Sequence, residues 1–230
     1  MKIIVSGKGR MGKAIDETAA EMKSQIPNRP LEIASFIGRE QVSEPIAQGD
    51  IILDFSSPSM ALAMANVAKN RRIPFITGTT GFTKAEIDVL KDIAQEIPLL
   101  VSFNFSLGIA LFARIIKGIP SILGPTWDIE LSETHHKNKV DAPSGTAFRL
   151  LEALDPDESL RNSGALGVHS LRGGTVIGEH TVSFFGPHES LSITHRSEDR
   201  KVFAQGALVA CEKLLTKEAG FYTLEELMFK

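Results

Sequence analysis

Between Glu133 and Ala147 the chain reads E-T-H-H-K-N-K-V-D-A-P-S-G-T-A. This stretch holds two adjacent histidines (His135, His136), a lysine (Lys139) and a Pro143-Ser144-Gly145-Thr146 turn. Histidine gives or takes a proton near neutral pH. Lysine protonates a carbanion or nitrogen, or pairs with a carboxylate. Ser-Gly-Thr at the head of an apolar helical run, Gly145 to Leu154, offers backbone N–H groups and a helix N-terminus to an anion, with Ser144 as the N-cap. The combination suits a small dicarboxylic acid that must be held and protonated. A zinc site is not expected. Neighbouring histidines on a strand point to opposite faces, and no Cys or His cluster stands nearby to complete a tetrahedral set.

A second group of residues suits a dinucleotide. Gly7-Lys8-Gly9-Arg10-Met11-Gly12 fits G-x-G-x-x-G between an N-terminal strand and a helix, the context that pattern requires. The first glycine permits the tight turn, the second admits the pyrophosphate, and the third lets helix and strand pack closely. Two more loops follow strands on the same sheet edge: Gly78-Thr79-Thr80-Gly81-Phe82 and Ser102-Phe103-Asn104-Phe105-Ser106. The second strand ends without the acid that reads the ribose diol in NAD-preferring domains: Ile37 and Gly38 stand there, and Arg39 is placed to pair with a 2′-phosphate. NADPH is therefore expected to be accepted at least as well as NADH.

These residues need elements to position them. Strand and helix alternate through the first hundred residues. Strands are expected at Lys2–Ser6, Leu31–Ile37, Asp50–Phe55, Ile73–Thr77 and Leu99–Phe103. Helices are expected after the glycine turn (Met11, Ile15, Ala19 and Met22 on one stripe), at Ser59–Lys69 and at Lys84–Glu96. That alternation predicts a Rossmann-type, doubly wound parallel sheet. A long apolar helix, Leu107–Leu123, then leads to a strand at Trp127–Glu133 that delivers the two histidines. Strands around Gly167–Leu171, His180–Phe185 and Leu191–Arg196 follow without helices between them, so the second half reads as an α+β domain with an open mixed sheet. A helix at Phe203–Leu215 and a short tail end the chain. The expected division is α/β: a dinucleotide-binding domain at 1–106, completed by 207–230, and a substrate-binding and oligomerisation domain at 107–206.

Composition excludes other classes. A net charge of −3 makes no electrostatic case for nucleic acid or an anionic membrane. Apolar runs break well before the roughly 18 residues of a membrane span. The strand that starts at Lys2 leaves no room for a signal peptide. Cys211 is the single cysteine, so a reducing, cytoplasmic setting is expected.

The Glu133–Ala147 string resembles the signature of the dihydrodipicolinate (4-hydroxy-tetrahydrodipicolinate) reductase family, E-x-H-H-x-x-K-x-D-A-P-S-G-T-A, with every fixed position filled. The similarity extends to G-R-M-G at Gly9–Gly12, G-T-T-G-F at Gly78–Phe82 and N-F-S at Asn104–Ser106. It continues through Arg172–Gly174, Gly178–Val182, Thr194–Arg196 and Phe203–Ala207. The resemblance implies reduction of a cyclic imine dicarboxylate by NADPH or NADH, with loss of water, in lysine and diaminopimelate biosynthesis. It also implies His135 as proton donor or acceptor, Lys139 as a second donor and His136 as a substrate contact. Ser144, Gly145 and Thr146 would bind a ring carboxylate. Gly7–Gly12, Gly78, Thr79, Thr80 and Ser102–Phe105 would line the cofactor. The C-terminal helix would pack on the first domain, and the open sheet would build a homotetramer. The 40–50 connection is short for the family, and Pro187-His188 departs from its pattern. Two rival readings are another NAD(P)-dependent dehydrogenase of amino-acid metabolism and a non-catalytic NAD(P)-binding sensor. The first leaves the His-His-Lys string unexplained, and the second does not require both His135 and Lys139.

Overall fold

The computed structural model describes residues 1–26, 31–38 and 46–229. The described chain divides into two compact units, Met1–Phe105 with Lys201–Lys230, and Ser106–Arg200.

The first unit runs β1 (Lys2–Ser6), α1 (Arg10–Gln25), β2 (Glu32–Ile37), β3 (Ile51–Asp54), α2 (Pro58–Arg71), β4 (Phe75–Thr77), α3 (Lys84–Ile93) and β5 (Pro98–Val101). Near-continuous apolar strands, such as Ile51-Ile52-Leu53 with no exposed surface, are what a parallel sheet covered on both faces requires. The core on one side gathers Ile52, Met64, Phe75, Leu90 and Leu99, so β3, β4 and β5 bury their apolar side chains against α2 and α3. Thr83 and Glu86 form a reciprocal capping box that fixes the start of α3.

The chain returns to this unit through a helix at Lys201–Leu214, which packs on α1; Lys201 forms ion pairs with Glu17 and Glu21 of that helix. The expected short tail is more than a tail. Gly220–Tyr222 pairs parallel to β5 and a last helix covers Leu224–Phe229. A three-residue strand carries no readable period, so only its pairing reveals it. The sheet therefore has six parallel strands, with the Gly220–Tyr222 strand at one edge and the others following as β5, β4, β3, β1 and β2.

The second unit begins with α4 (Leu107–Ile116) and α5 (Ile119–Leu123), where the sequence suggested one helix. Gly118 takes a left-handed φ of +86°, and Pro120 cannot donate the N–H that a continuous helix would need, so the chain breaks between them. Then come β6 (Asp128–His135), α6 (Gly145–Leu154), α7 (Ser159–Ser163), β7 (Leu166–Arg172), β8 (Gly178–Phe185) and β9 (Ser190–Ser197). Numbered on from these, the helix at Lys201–Leu214 is α8, the Gly220–Tyr222 strand β10 and the last helix α9. The second sheet has the order β7-β6-β8-β9, parallel between β6 and β7 and antiparallel elsewhere. Burial alternates along β6: Ile129, Leu131, Glu133 and His135 face inward. Helices α4 and α6 share a core with that inner face, through Phe112, Ile116, Leu150 and Leu154. The other face is a polar ladder, with Thr181 bonded to Thr194 and Ser183 to Ser192.

Candidate active site

Strand β6 extends to His135, two residues beyond the expected end, and this sets the geometry of the second unit's site. Glu133 and His135, two apart, share the inner face. Across the sheet Glu133 stands in register with His180 on β8, and His180 with His195 on β9. His135 and His180 meet edge to face with ring centroids 5.2 Å apart. His135 Nδ1 faces the Glu133 carboxylate as a close pair, and the other Glu133 oxygen accepts from Arg172 Nη2 at 2.7 Å.

Each of these groups is mostly buried, which dictates its protonation. Burial pushes the His180 imidazole down to about 4, helped by repulsion from His135 once that ring is protonated. Burial also lowers His135, against the opposing pull of Glu133, and lowers His195. For Glu133, burial pushes the carboxyl up, but hydrogen bonds from Arg172 and Ser170 and the charge of His135 hold it below the usual range. At neutral pH the site therefore holds an ionised carboxylate and neutral imidazoles. With the Glu133 carboxylate facing Nδ1, Nε2 is the His135 atom that can exchange a proton. Gly178 makes room for it: a Cβ there would lie 3.1 Å from His135 Nε2.

The loop after β6 is tied to this cluster. Arg172 Nη2 also donates to the Asp141 carbonyl at 2.7 Å, and Gly173 N–H donates to the His135 carbonyl at 2.9 Å. Lys139 Nζ pairs with Asp141 at 2.7 Å, which lowers the Asp141 carboxyl. His136 is half-buried. Ser144 is buried; its hydroxyl accepts from Ala147 N–H as the cap of α6 and lies 3.1 Å from His180 Nε2. It thus holds the turn, while Gly145 is exposed and Thr146 half-buried at the helix N-terminus. A matching pair stands at α4, where Ser106 caps the helix and its hydroxyl lies 3.1 Å from His195 Nε2. The fold gathers three possible donors, one short of a tetrahedral set. Ligating atoms of Glu133, His135 and His180 lie within 4.8 Å of one another, brought together across two strands. The donors suit a divalent cation in type, but the Arg172 guanidinium already neutralises Glu133 there.

In the first unit, Gly7, Gly78 and the Ser102–Phe105 loop lie at the C-terminal ends of β1, β4 and β5, the edge where doubly wound sheets bind ligands. Gly7 has φ +112°, and a Cβ on Gly12 would sit 2.2 Å from the Gly7 carbonyl oxygen. The residues fit a dinucleotide. Helix α1 starts at Gly9 with no side-chain cap, so its first N–H groups suit a pyrophosphate. Lys8, Gly9, Arg10, Thr80 and Phe103 are exposed, Met11 and Asn104 half-buried. Thr79, Ser102 and Phe105 are buried: Thr79 bonds to Asp54, Ser102 to the Asn104 carbonyl, and Phe105 packs on Phe55. Arg39 lies outside the described residues. Sequence reasoning assigned no role to Glu133, Arg172, His180 or Asp54. The first three were named only within the string or the resemblance, since their meeting depends on sheet register.

Comparison with known proteins matches residues 1–105 to the family described as dihydrodipicolinate reductase, N-terminus, and residues 108–228 to dihydrodipicolinate reductase, C-terminus. The 4-hydroxy-tetrahydrodipicolinate reductase of Beijerinckia indica is 36% identical over 263 residues, covering 99% of this chain and 97% of that protein. The Exiguobacterium sibiricum protein of the same description is 35% identical over 239 residues, covering 99% of this chain and 96% of its own length. Among solved structures, the dipicolinate-bound dihydrodipicolinate reductase from Paenisporosarcina sp. TG-14 shares the fold with a TM-score of 0.77 at 21% identity, covering 99% of both chains. A myo-inositol dehydrogenase from Corynebacterium glutamicum shares it more loosely, with a TM-score of 0.59 at 14% identity, covering 96% of this chain and 90% of that one. Two family matches that leave almost no residue uncovered, and relatives this similar from end to end, decide the assignment: the chain belongs to the dihydrodipicolinate reductase family.

Proposed function

We propose a division of labour for the reaction this chain catalyses, the NAD(P)H-dependent reduction of 4-hydroxy-tetrahydrodipicolinate to tetrahydrodipicolinate in diaminopimelate and lysine biosynthesis. The first unit binds the cofactor on Gly7–Gly12, Gly78–Thr80 and Ser102–Phe105, with Arg39 offered to a 2′-phosphate. The second unit binds the substrate and handles its protons. The N–H groups of Gly145 and Thr146 hold one ring carboxylate at the start of α6, with Lys139 and His136 as further contacts and Ser144 as the support of the turn.

Bound NAD(P)H supplies the hydride. Loss of water moves a proton from ring carbon to the departing hydroxyl, and hydride addition is completed by one more proton. His135 Nε2 takes and returns the first, because Glu133 stabilises the imidazolium that forms; Lys139 gives the second. The buried Glu133–His135 pair, locked by Arg172, is the observation that carries this reading.

The Paenisporosarcina reductase carries dipicolinate, and a planar pyridine dicarboxylate suits the α6 N-terminus of this chain for the same chemical reason. The enzyme mixed with the product of dihydrodipicolinate synthase should oxidise NADPH or NADH, and dipicolinate should inhibit in competition with that substrate. Inhibition competitive with the cofactor instead would move the carboxylate site away from Gly145 and Thr146. A reducing, cytoplasmic setting suits Cys211, which is fully buried with its thiol pushed up by burial.

A further inference from the structure

Asp54, the last residue of β3, is completely buried and lies at the strand edge that faces the cofactor loops. Three hydroxyls converge on its carboxylate. Thr77 Oγ1 donates to Oδ2 at 2.8 Å, Thr79 Oγ1 donates to the same oxygen at 2.6 Å, and Ser56 Oγ donates to Oδ1. Each threonine hydroxyl in turn accepts a backbone N–H: Thr79 N–H reaches Thr77 Oγ1 at 3.1 Å, and Ser56 N–H reaches Thr79 Oγ1 at 2.9 Å. One carboxylate thus ties the loop after β3 to the loop after β4. The neighbouring Phe55 completes the knot. A Cβ on Gly78 would lie 2.1 Å from its ring, one on Gly7 would lie 2.4 Å from its carbonyl oxygen, and Phe105 packs edge to face on it at 5.5 Å.

We propose that Asp54 is a positioning residue for the cofactor: through Ser56, Thr77 and Thr79 it holds the Ser56–Ser57 and Gly78–Thr80 loops in the arrangement that receives the nicotinamide half of NADH or NADPH. Asp54 has no exposed surface, so it acts through the loops it ties and does not touch the cofactor. The sheet order locates the effect. In a doubly wound sheet the adenosine ribose is read at the end of β2, and here β3 and β4 lie on the opposite side of β1 from β2. A change at Asp54 therefore acts alike on the two cofactors, which differ only by a phosphate on the adenosine ribose. This inference rests on the cofactor reading above and adds the residue that orders its loops.

The test uses the full-length enzyme and fluorescence titration of NADPH and NADH. Asp54→Ala leaves the buried Thr77 and Thr79 hydroxyls and the half-buried Ser56 hydroxyl without this acceptor and should raise both Kd values about tenfold or more, by the same factor. Asp54→Asn can keep its oxygen on Thr77 and Thr79 and turn its NH2 group to the Ser56 hydroxyl, so it should recover most of that loss. Where Asp54→Ala fails to fold, Thr77→Val removes one of the three donors and the acceptor for Thr79 N–H, and it should weaken both cofactors; Thr77→Ser should recover most of the affinity. A purely structural Asp54 would lower Tm and leave both Kd values of the folded enzyme within twofold of wild type, and that result overturns the proposal. Loss confined to NADPH also overturns it, because the effect would then sit at the adenosine end. Failure of the wild-type enzyme to bind either cofactor would sink the cofactor reading itself, a result distinct from an unresponsive variant.

Discussion

At the scale of single residues, the proposed mechanism separates groups that exchange protons from groups that hold them in place. Lys139 sits on a half-exposed loop beside Asp141, away from the glycine loops of the cofactor in the chain. Lys139→Ala should therefore lower kcat by about 10²–10⁴-fold, as loss of one proton donor does, while cofactor Kd stays near wild type. Steady-state rates with a parallel cofactor titration check this, and ordinary turnover in the variant would remove Lys139 from the mechanism. In the proposed mechanism Glu133 does not exchange the proton; it orients His135. Glu133→Gln keeps the size but loses the charge that stabilises the imidazolium, and it leaves the Arg172 charge unpaired. It should depress kcat and displace the acid limb of the pH–rate profile to lower pH. An unmoved limb would show that His135 works without Glu133. Both residues stand in the signature string, but which of its acids and bases are buried together was not legible there.

At the scale of elements, the glycines report how closely the turns approach. A Cβ at Gly12 meets the Gly7 carbonyl oxygen, which is backbone and cannot swing aside. Gly12→Ala should cost about 1–3 kcal/mol of stability, in the range of other overpacking changes, and should weaken both cofactors by displacing the start of α1. Thermal melts and a titration measure the two effects, and an unchanged Tm would contradict the close packing of α1 on the first loop. The pattern G-x-G-x-x-G was readable because its physical need is local. The break between α4 and α5 was written just as locally in Gly118 and Pro120, but the surrounding apolar run masked it. β10 was unreadable for another reason: three residues become a strand only when β5 offers an edge to pair with.

At the scale of the whole molecule, pH stability and assembly are the quantities to predict. His180 carries an imidazole lowered to about 4, with His135 and His195 lowered in the same direction. The unfolded chain binds protons at these histidines near pH 6.5, and the folded chain resists them. Their contribution is thus fully present above about pH 6.5 and is lost as pH falls toward about 4, amounting to about 3 kcal/mol for a His180 shift of this size. Glu133 and Asp155, whose carboxyls are held low, withdraw stability only below the ordinary carboxylate range, so the two windows separate. Tm measured between pH 4 and 8 should fall through the upper window, and His180→Gln should flatten that fall; an equal slope in both proteins would mean that His180 does not set it. The outer face of the second sheet exposes Leu171 and Phe185, 53% and 46% accessible, among its serine and threonine ladder. A homotetramer built on this face would bury them. Light scattering should then give the tetramer mass, and Phe185→Glu should lower it; a wild-type monomer would leave the open sheet unpaired.

The sequence by itself determined the chemistry at hand and the alternation that makes the fold. G-x-G-x-x-G after a first strand, strand and helix in turn, and a His-His-Lys string before a Ser-Gly-Thr turn are all local patterns, readable because propensity, capping and short-range spacing act within a few residues. Only the tertiary structure decided which groups meet. Glu133, Arg172, His180 and His195 come from four strands, and a shift of one residue in any pairing would turn its side chain to the opposite face. Asp54 gathers Ser56, Thr77 and Thr79 in the same way, because the ends of β3 and β4 lie side by side in a parallel sheet. Burial, which moves the histidines to their neutral form and confines the Glu133 charge, exists only once the inner face of that register is covered.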